Sequence, residues 1–254
     1  MNALSVRQRF CIASASYDAE AQAQRQIAAR LWALAAPHVA PGAVMLEVGA
    51  GTGLLTRHLL AAQPKNLTVN DLYTSPQVQA LVDQHPGVLS VCEGNAEAQD
   101  FCGVYDAIFS ASTVQWFVNI EGFFARCARH LPKGNLLAFS SFLPGNLLEI
   151  SHLTGVGLNY CTLEALQLHL AREFDVIVVE QGEIALYFAN PHDVLLHLRR
   201  TGVTGIRSVG WNKRRYCEFI DDYTSLYGSA KGVRLTYRPV YILAISKGNL
   251  CRNA

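Results

Sequence analysis

Apolar residues fall along this chain in short blocks separated by longer patterns of helical period. Residues 43–48, 67–71, 88–92, 104–110 and 135–140 are apolar runs of strand length. Unbroken runs of that length predict strands covered on both faces, as in a parallel sheet. Helical patterns lie among them. Residues 19–36 are rich in Gln, Ala, Arg and Leu and stop at Pro37. Residues 54–62 follow the first strand, and residues 121–131 close at Pro132. Ser75 before Pro76 has the form of an N-cap with proline in the first turn, opening a helix to about Gln84. The alternation predicts an α/β fold with a mostly parallel sheet flanked by helices.

After Ser140 the rhythm changes. Residues 144–153, 163–173 and 191–201 carry helical patterns, and residues 176–180 and 184–188 read as strands. Residues 202–232 are polar, basic and turn-rich. Residues 233–246 are β-branched and aromatic and predict one long closing strand. Residues 1–16 read as an irregular lead-in. No repeat or low-complexity linker interrupts the chain, so 1–254 is expected to be one domain with an insertion, residues 189–232, before the last strand.

Composition narrows the classes. Half of the residues are hydrophobic and 16% are charged, which suits a globular enzyme rather than a disordered chain. The net charge of +1 advertises neither nucleic acid nor membrane, although residues 199–238 hold nine Lys/Arg against three acids. Seven scattered cysteines without a CxxC pair fit free thiols in a reducing compartment, and eight histidines without HxxxH or HExxH spacing give no zinc signature. The N-terminus lacks a signal-peptide pattern and no 18-residue apolar run occurs, so a cytoplasmic location is expected.

The chemistry concentrates at Glu47-Val48-Gly49-Ala50-Gly51-Thr52-Gly53, between a predicted strand and a helix. Such a turn brings backbone and a helix end close to a ligand. Its spacing is GxGxG rather than the GxGxxG of dinucleotide folds, and an acid stands two residues before the first glycine. S-adenosylmethionine carries an amino-acid end and no pyrophosphate, so Glu47 can meet its ammonium directly or through water. The plain alternative is a tight strand–helix turn. Asp71, with Leu72 beside it, ends the next strand, where a carboxylate can accept from both ribose hydroxyls; the alternative is a turn or capping role. Asn95 and Ala96 follow the third strand, where a side-chain amide can meet the adenine amine and a backbone N–H a ring nitrogen. Asn95 could equally be an ordinary turn residue. Ala111 and Gln115 lie in the loop after the fourth strand, with Trp116 read as a core anchor. Four elements in order on consecutive strands point to S-adenosylmethionine as cofactor, with Glu47, Gly49, Ala50, Gly51, Gly53, Asp71, Leu72, Asn95, Ala96, Ala111 and Gln115 around it.

Over about residues 10–247 the sequence resembles the malonyl-[acyl-carrier-protein] O-methyltransferases of biotin synthesis. Phe10, Ala13 and Tyr17-Asp18 match that family's F-x-x-A-A-x-x-Y-D spacing, with Ser14 at the second Ala position. Leu46 to Gly53 matches its glycine motif, Gln115-Trp116 its Q-W, and Pro144-Gly145-Asn146-Leu147-Leu148-Glu149 with Phe139-Ser140 its following stretch. His197-Leu198-Arg199-Arg200-Thr201-Gly202 and Leu235-Thr236-Tyr237-Arg238 resemble two late segments that other methyltransferases lack. Asn95 and Arg199 depart from the family's usual Asp and Lys.

The resemblance implies a Rossmann-like class I methyltransferase with a seven-stranded sheet, an N-terminal segment (1–36) over the cofactor site, and a lid at 189–232. The implied acceptor is the free carboxylate of a malonyl thioester on acyl carrier protein or on coenzyme A. An ionised carboxylate needs no deprotonation, so the absence of a Ser–His–Asp set is no objection. Arg199, then Arg200, are the expected cations for that carboxylate, against a reading as solvated charges. Tyr17 is expected to close over the methyl group, against simple packing under the N-terminal helix. Lys213, Arg214 and Arg215 are expected to dock the acidic carrier protein, against a solvated surface. Two other functions stay open: methylation of another small acceptor, and a non-catalytic cofactor-binding partner.

Overall fold

A computed structural model describes residues 17–202 and 210–248. The expectations for Phe10, Ala13, Ser14 and the lead-in 1–16 lie outside the described residues, as does part of the basic stretch 199–238.

A helical turn at residues 17–20 precedes α1 (Gln22–Ala35). Then come β1 (Val44–Val48), α2 (Leu54–Ala61), β2 (Asn66–Asp71), α3 (Pro76–Gln84), β3 (Leu89–Glu93), β4 (Ala107–Ser110), α4 (Ile120–His130) and β5 (Leu136–Phe142). The remainder is α5 (Leu148–Thr154), α6 (Leu163–Leu170), β6 (Phe174–Gln181), β7 (Ile184–Phe188), α7 (Pro191–Arg200), α8 (Lys213–Tyr227), β8 (Gly228–Ser229), β9 (Gly232–Tyr237) and β10 (Pro239–Ser246). Seven strands form one sheet in the order β3-β2-β1-β4-β5-β10-β6, with β10 antiparallel to both neighbours. β7, β9 and β8 form a separate antiparallel sheet inserted between β6 and β10.

The apolar runs are continuous because the sheet is covered twice. Along β1, Met45 packs into the layer that holds Ile27 and Leu31 of α1, while Leu46 and Val48 face the layer of Phe123 and Phe124 of α4. Tyr241 and Leu243 of β10 join the first layer, and Val240, Ile242 and Ala244 the second. Burying each such side chain contributes on the order of 1.5–3 kcal/mol. Strand order reverses between β1 and β4, so their carboxyl ends part and leave a crevice at this switch point.

Two expectations are corrected. Residues 233–246 are two strands in two sheets. The N–H of Arg238 goes to the side-chain Oδ1 of Asn146 at 2.9 Å, and Pro239 has no N–H to continue the ladder. Residues 202–232 are not merely turn-rich, because α8 runs through them. Its apolar positions Tyr216, Phe219, Ile220, Tyr223 and Tyr227 recur at helical spacing, with Phe219 and Tyr223 buried, and Asn212 caps it by accepting from Arg215 N. The dense charges at its start hide that period. No helix among the described residues is long and apolar enough to cross a membrane. Cys92, Cys102, Cys127, Cys161 and Cys217 are free thiols.

Candidate active site

The crevice at the switch point is a cleft of about 1240 Å³, part of it open to solvent. The glycine loop forms its floor, with positive φ at Gly49 (81°), Gly51 (57°) and Gly53 (84°). Gly49 has no room for a side chain: a Cβ there would lie 2.0 Å from Thr113 Oγ1. At Gly51 a Cβ would meet no protein atom within 4 Å, so this part of the loop faces open space.

The loop does not present its N–H groups as an anion cradle. Gly49 N and Ala50 N donate to Asn70 O at 2.8 and 3.1 Å, Gly51 N donates to Asp71 Oδ2 at 2.8 Å, and Gly53 N donates to Ala50 O. Those donors are engaged inside the protein, and the carbonyls of Ala50, Gly51, Thr52 and Gly53 likewise accept from protein groups. A loop tied up in this way does not suit a phosphate. Ser75 both caps α3 and donates to Gly51 O at 2.7 Å, which ties the helix to the loop.

Glu47 and Asp71 line this cleft. Glu47 is 1% exposed and accepts from Thr56 Oγ1 at 2.6 Å. Burial pushes its carboxyl up to about 8, against the opposing pull of that hydrogen bond. Burial also raises Asp71, opposed by the N–H of Gly51. Glu47 is buried and Asp71 half-buried, and among the described residues neither forms an ion pair with an arginine or lysine, a pattern that fits a ligand site better than a structural ion pair.

The structure brings Tyr17, Glu47, Gly49, Ala50, Gly51, Asp71, Leu72, Asn95, Ala96 and Ala111 together around the cleft. Asn95 Oδ1 accepts from Glu97 N at 3.0 Å. Gly53 sits behind the loop as the N-terminal cap of α2, against Leu81 of α3. Gln115 lies elsewhere than expected. The short turn Val114–Trp116 directs Trp116 to the cleft, while Gln115 lines a second chamber.

That second, small chamber adjoins the first and shares Tyr17, Gln24, Ser112 and Trp116 with it. Its remaining wall includes Phe142, Asn146, Tyr160, Thr201 and Tyr237. No arginine lines it among the described residues. Along α7 the inward positions are Val194, His197 and Leu198, so Arg199 and Arg200 fall on the outer face and are exposed. Arg200 instead donates to Glu20 Oε1 at 2.7 Å. The structure therefore does not carry either cation to the place expected for an acceptor carboxylate. Glu20 also faces buried His197 Nδ1 at 3.6 Å, and His197 Nε2 lies 2.8 Å from the Tyr237 hydroxyl. Together with Thr52 Oγ1 donating to Asp18, these contacts hold residues 17–20 over both chambers.

Gln24, Ser112, Thr113 and Tyr160 were not singled out by sequence reasoning. Gln24 sits on the buried stripe of α1, and a polar residue in an apolar stripe was the available signal. Tyr160 lies in an irregular stretch between helices, where no periodicity marks it.

Fold and cleft together define a class I methyltransferase, and a profile of the methyltransferase domain matches residues 46–139. The solved YcgJ protein of Bacillus subtilis shares the fold, with a TM-score of 0.61 over 85% of this chain and 97% of that one, at 13% identity. Among curated proteins, the malonyl-[acyl-carrier protein] O-methyltransferase of Chlorobium luteolum is 37% identical over 93% of this chain and 92% of its own length. That of Bacteroides fragilis is also 37% identical over 95% of this chain, which spans half of that relative's length. The chain belongs to the malonyl-[acyl-carrier protein] O-methyltransferase family, whose methyl donor is S-adenosylmethionine. The cleft has an open face at Gly51 and the carboxyls of Glu47 and Asp71 on its wall, which fits a ligand with an ammonium and a ribose.

Proposed function

We propose that this enzyme methylates the free carboxylate of a malonyl thioester carried by acyl carrier protein, a step that starts the pimeloyl chain of biotin in the cytoplasm. The observation that carries the reading is the second chamber. Residues 46–139 contain what methyltransferases share, yet Phe142, Asn146, Tyr160, Thr201 and Tyr237 lie beyond that span and Tyr17 and Gln24 before it. The second chamber is thus built largely from residues outside the span that matches the general methyltransferase profile.

In this reading Glu47, Asp71 and Asn95 hold the amino-acid, ribose and adenine ends of the cofactor. S-adenosylmethionine supplies a sulfonium methyl: a carboxylate oxygen forms the new C–O bond as the C–S bond breaks toward sulfur, and no proton moves. The protein's work is to align the two ends and exclude water. Tyr17 lines both chambers and stands where they meet, in place to close over the reacting groups. The turn 17–20, pinned by Asp18 and Glu20, acts as the cover, and residues 189–232 serve as the lid.

Carrier-protein docking falls to Lys213, Arg214 and Arg215. All three are exposed and occupy the first turn of α8, where no acid stands. Cations at a helix N-terminus oppose its dipole by about 0.3–1 kcal/mol each, a cost that an acidic partner repays. Radiolabelled methyl transfer tests the whole reading. Malonyl-carrier protein is expected to be the best acceptor and malonyl-CoA a weaker one. Transfer to neither, with transfer to free dicarboxylic acids, would replace the reading by that of a small-acid methyltransferase.

A further inference from the structure

Among the described residues no cation lines the second chamber, and its hydrogen bonds show which donors remain for an anion. Asn146 Oδ1 accepts the N–H of Arg238 at 2.9 Å, which fixes the orientation of that amide. Its Nδ2 therefore donates to the Tyr160 oxygen at 2.8 Å, and among the described residues the Tyr160 O–H proton has no acceptor. The neighbouring Tyr237 is committed differently. Glu20 faces His197 Nδ1 and places the imidazole proton there, so Nε2 is the lone-pair side and takes the Tyr237 O–H.

Three buried polar atoms of this wall have no protein partner: Ser112 Oγ, Gln24 Oε1 and Gln115 Oε1. Gln115 Nε2 donates to Ser112 O at 2.6 Å, so its free atom is a true carbonyl oxygen. The two amide oxygens can only accept and therefore repel an anion. The free donors are the hydroxyls of Tyr160 and Ser112. Ser112 lies on the wall shared with the cofactor cleft and keeps a left-handed backbone (φ 52°) that a non-glycine residue adopts at a cost.

We propose that the Tyr160 and Ser112 hydroxyls receive the acceptor carboxylate, in place of an arginine. This rests on the malonyl-thioester reading above. Chemistry favours such a site. Attack of a carboxylate on a sulfonium annihilates both charges, so a fixed guanidinium would stabilise the reactant anion more than the transition state. Neutral hydroxyls orient the anion and leave its charge largely on the attacking oxygen. Burial holds Tyr160 up to about 12, so it stays a donor throughout the working range.

Calorimetry on the enzyme saturated with S-adenosylhomocysteine tests this without turnover. Malonyl-CoA and its monomethyl ester are titrated into wild type, Tyr160→Phe and Ser112→Ala. The wild type is expected to prefer the acid; each variant should lose about tenfold in affinity for the acid and less than twofold for the ester. Arg199→Ala should keep the wild-type preference. Variants that bind S-adenosylhomocysteine normally and keep the full preference for the acid would overturn the proposal; should Tyr160→Phe fail to fold, Ser112→Ala decides alone. A wild type that prefers the acid but transfers no methyl to any malonyl thioester would sink the reading of function and leave the carboxylate site standing.

Discussion

Glu47→Gln separates the cost of the cofactor site from its use. The carboxyl is buried on β1 with only the Thr56 hydroxyl as its side-chain partner, and burial raises it to about 8. At pH 7 about a tenth of the molecules then carry it ionised. A ligand ammonium that binds the ionised form must drive out the proton. That costs about 1.4 kcal/mol, or about tenfold in Kd, and releases about 0.9 proton per ligand bound. Titration calorimetry with S-adenosylhomocysteine in two buffers of different ionisation enthalpy measures this release directly. Glu47→Gln should abolish it and weaken binding at pH 8 by at least about tenfold. Stability should move the other way. A carboxyl whose folded pKa lies above its unfolded value contributes stability that is fully present at low pH and lost as pH rises through about 8, so the ligand-free Gln variant should melt higher than wild type near pH 8. Equal proton release by wild type and variant at pH 7 would refute the reasoning.

Other consequences follow from the same geometry. Gly49→Ala would place its Cβ against Thr113 at a positive φ; a loss of about 1–3 kcal/mol in chemical denaturation is expected, recovered in part by a second change, Thr113→Ala. Asp71→Ala removes both the proposed ribose acceptor and the partner of Gly51 N–H, and calorimetry should show cofactor affinity reduced at least about tenfold, whereas Arg199→Ala should leave it within about twofold. Reversing Lys213, Arg214 and Arg215 to Glu should raise KM for malonyl-carrier protein about tenfold or more and flatten its salt dependence, with kinetics on malonyl-CoA nearly unchanged.

The middle of the central sheet was legible because β1, β4, β5 and β10 are buried on both faces and their apolar runs have no competing signal. β7 and the start of α3 were read to the residue, the latter because Ser75-Pro76 states its own cap. Legibility failed where two periods overlapped or tertiary contacts decided. The β9–β10 stretch is uniformly β-forming, and only the diversion of Arg238 N–H to Asn146 divides it between sheets. In α8 the charged first turn obscured an amphipathic helix. At the site, the cofactor side could be approached because its residues sit at the ends of consecutive strands. The acceptor side could not, since Gln24, Ser112 and Tyr160 meet only after three distant segments fold together. The expectation for Arg199 followed from the resemblance and from the suitability of a guanidinium for a carboxylate, and the buried stripe of α7 turns that residue outward.

The most direct test of the account is the chemical nature of the transferred methyl. Malonyl-carrier protein is incubated with enzyme and labelled S-adenosylmethionine, and the isolated product is treated with mild base. A carboxyl methyl ester releases its label as volatile methanol, and the account predicts that essentially all the label on the carrier protein behaves so. Label that resists base, or that never reaches a malonyl thioester, would contradict it.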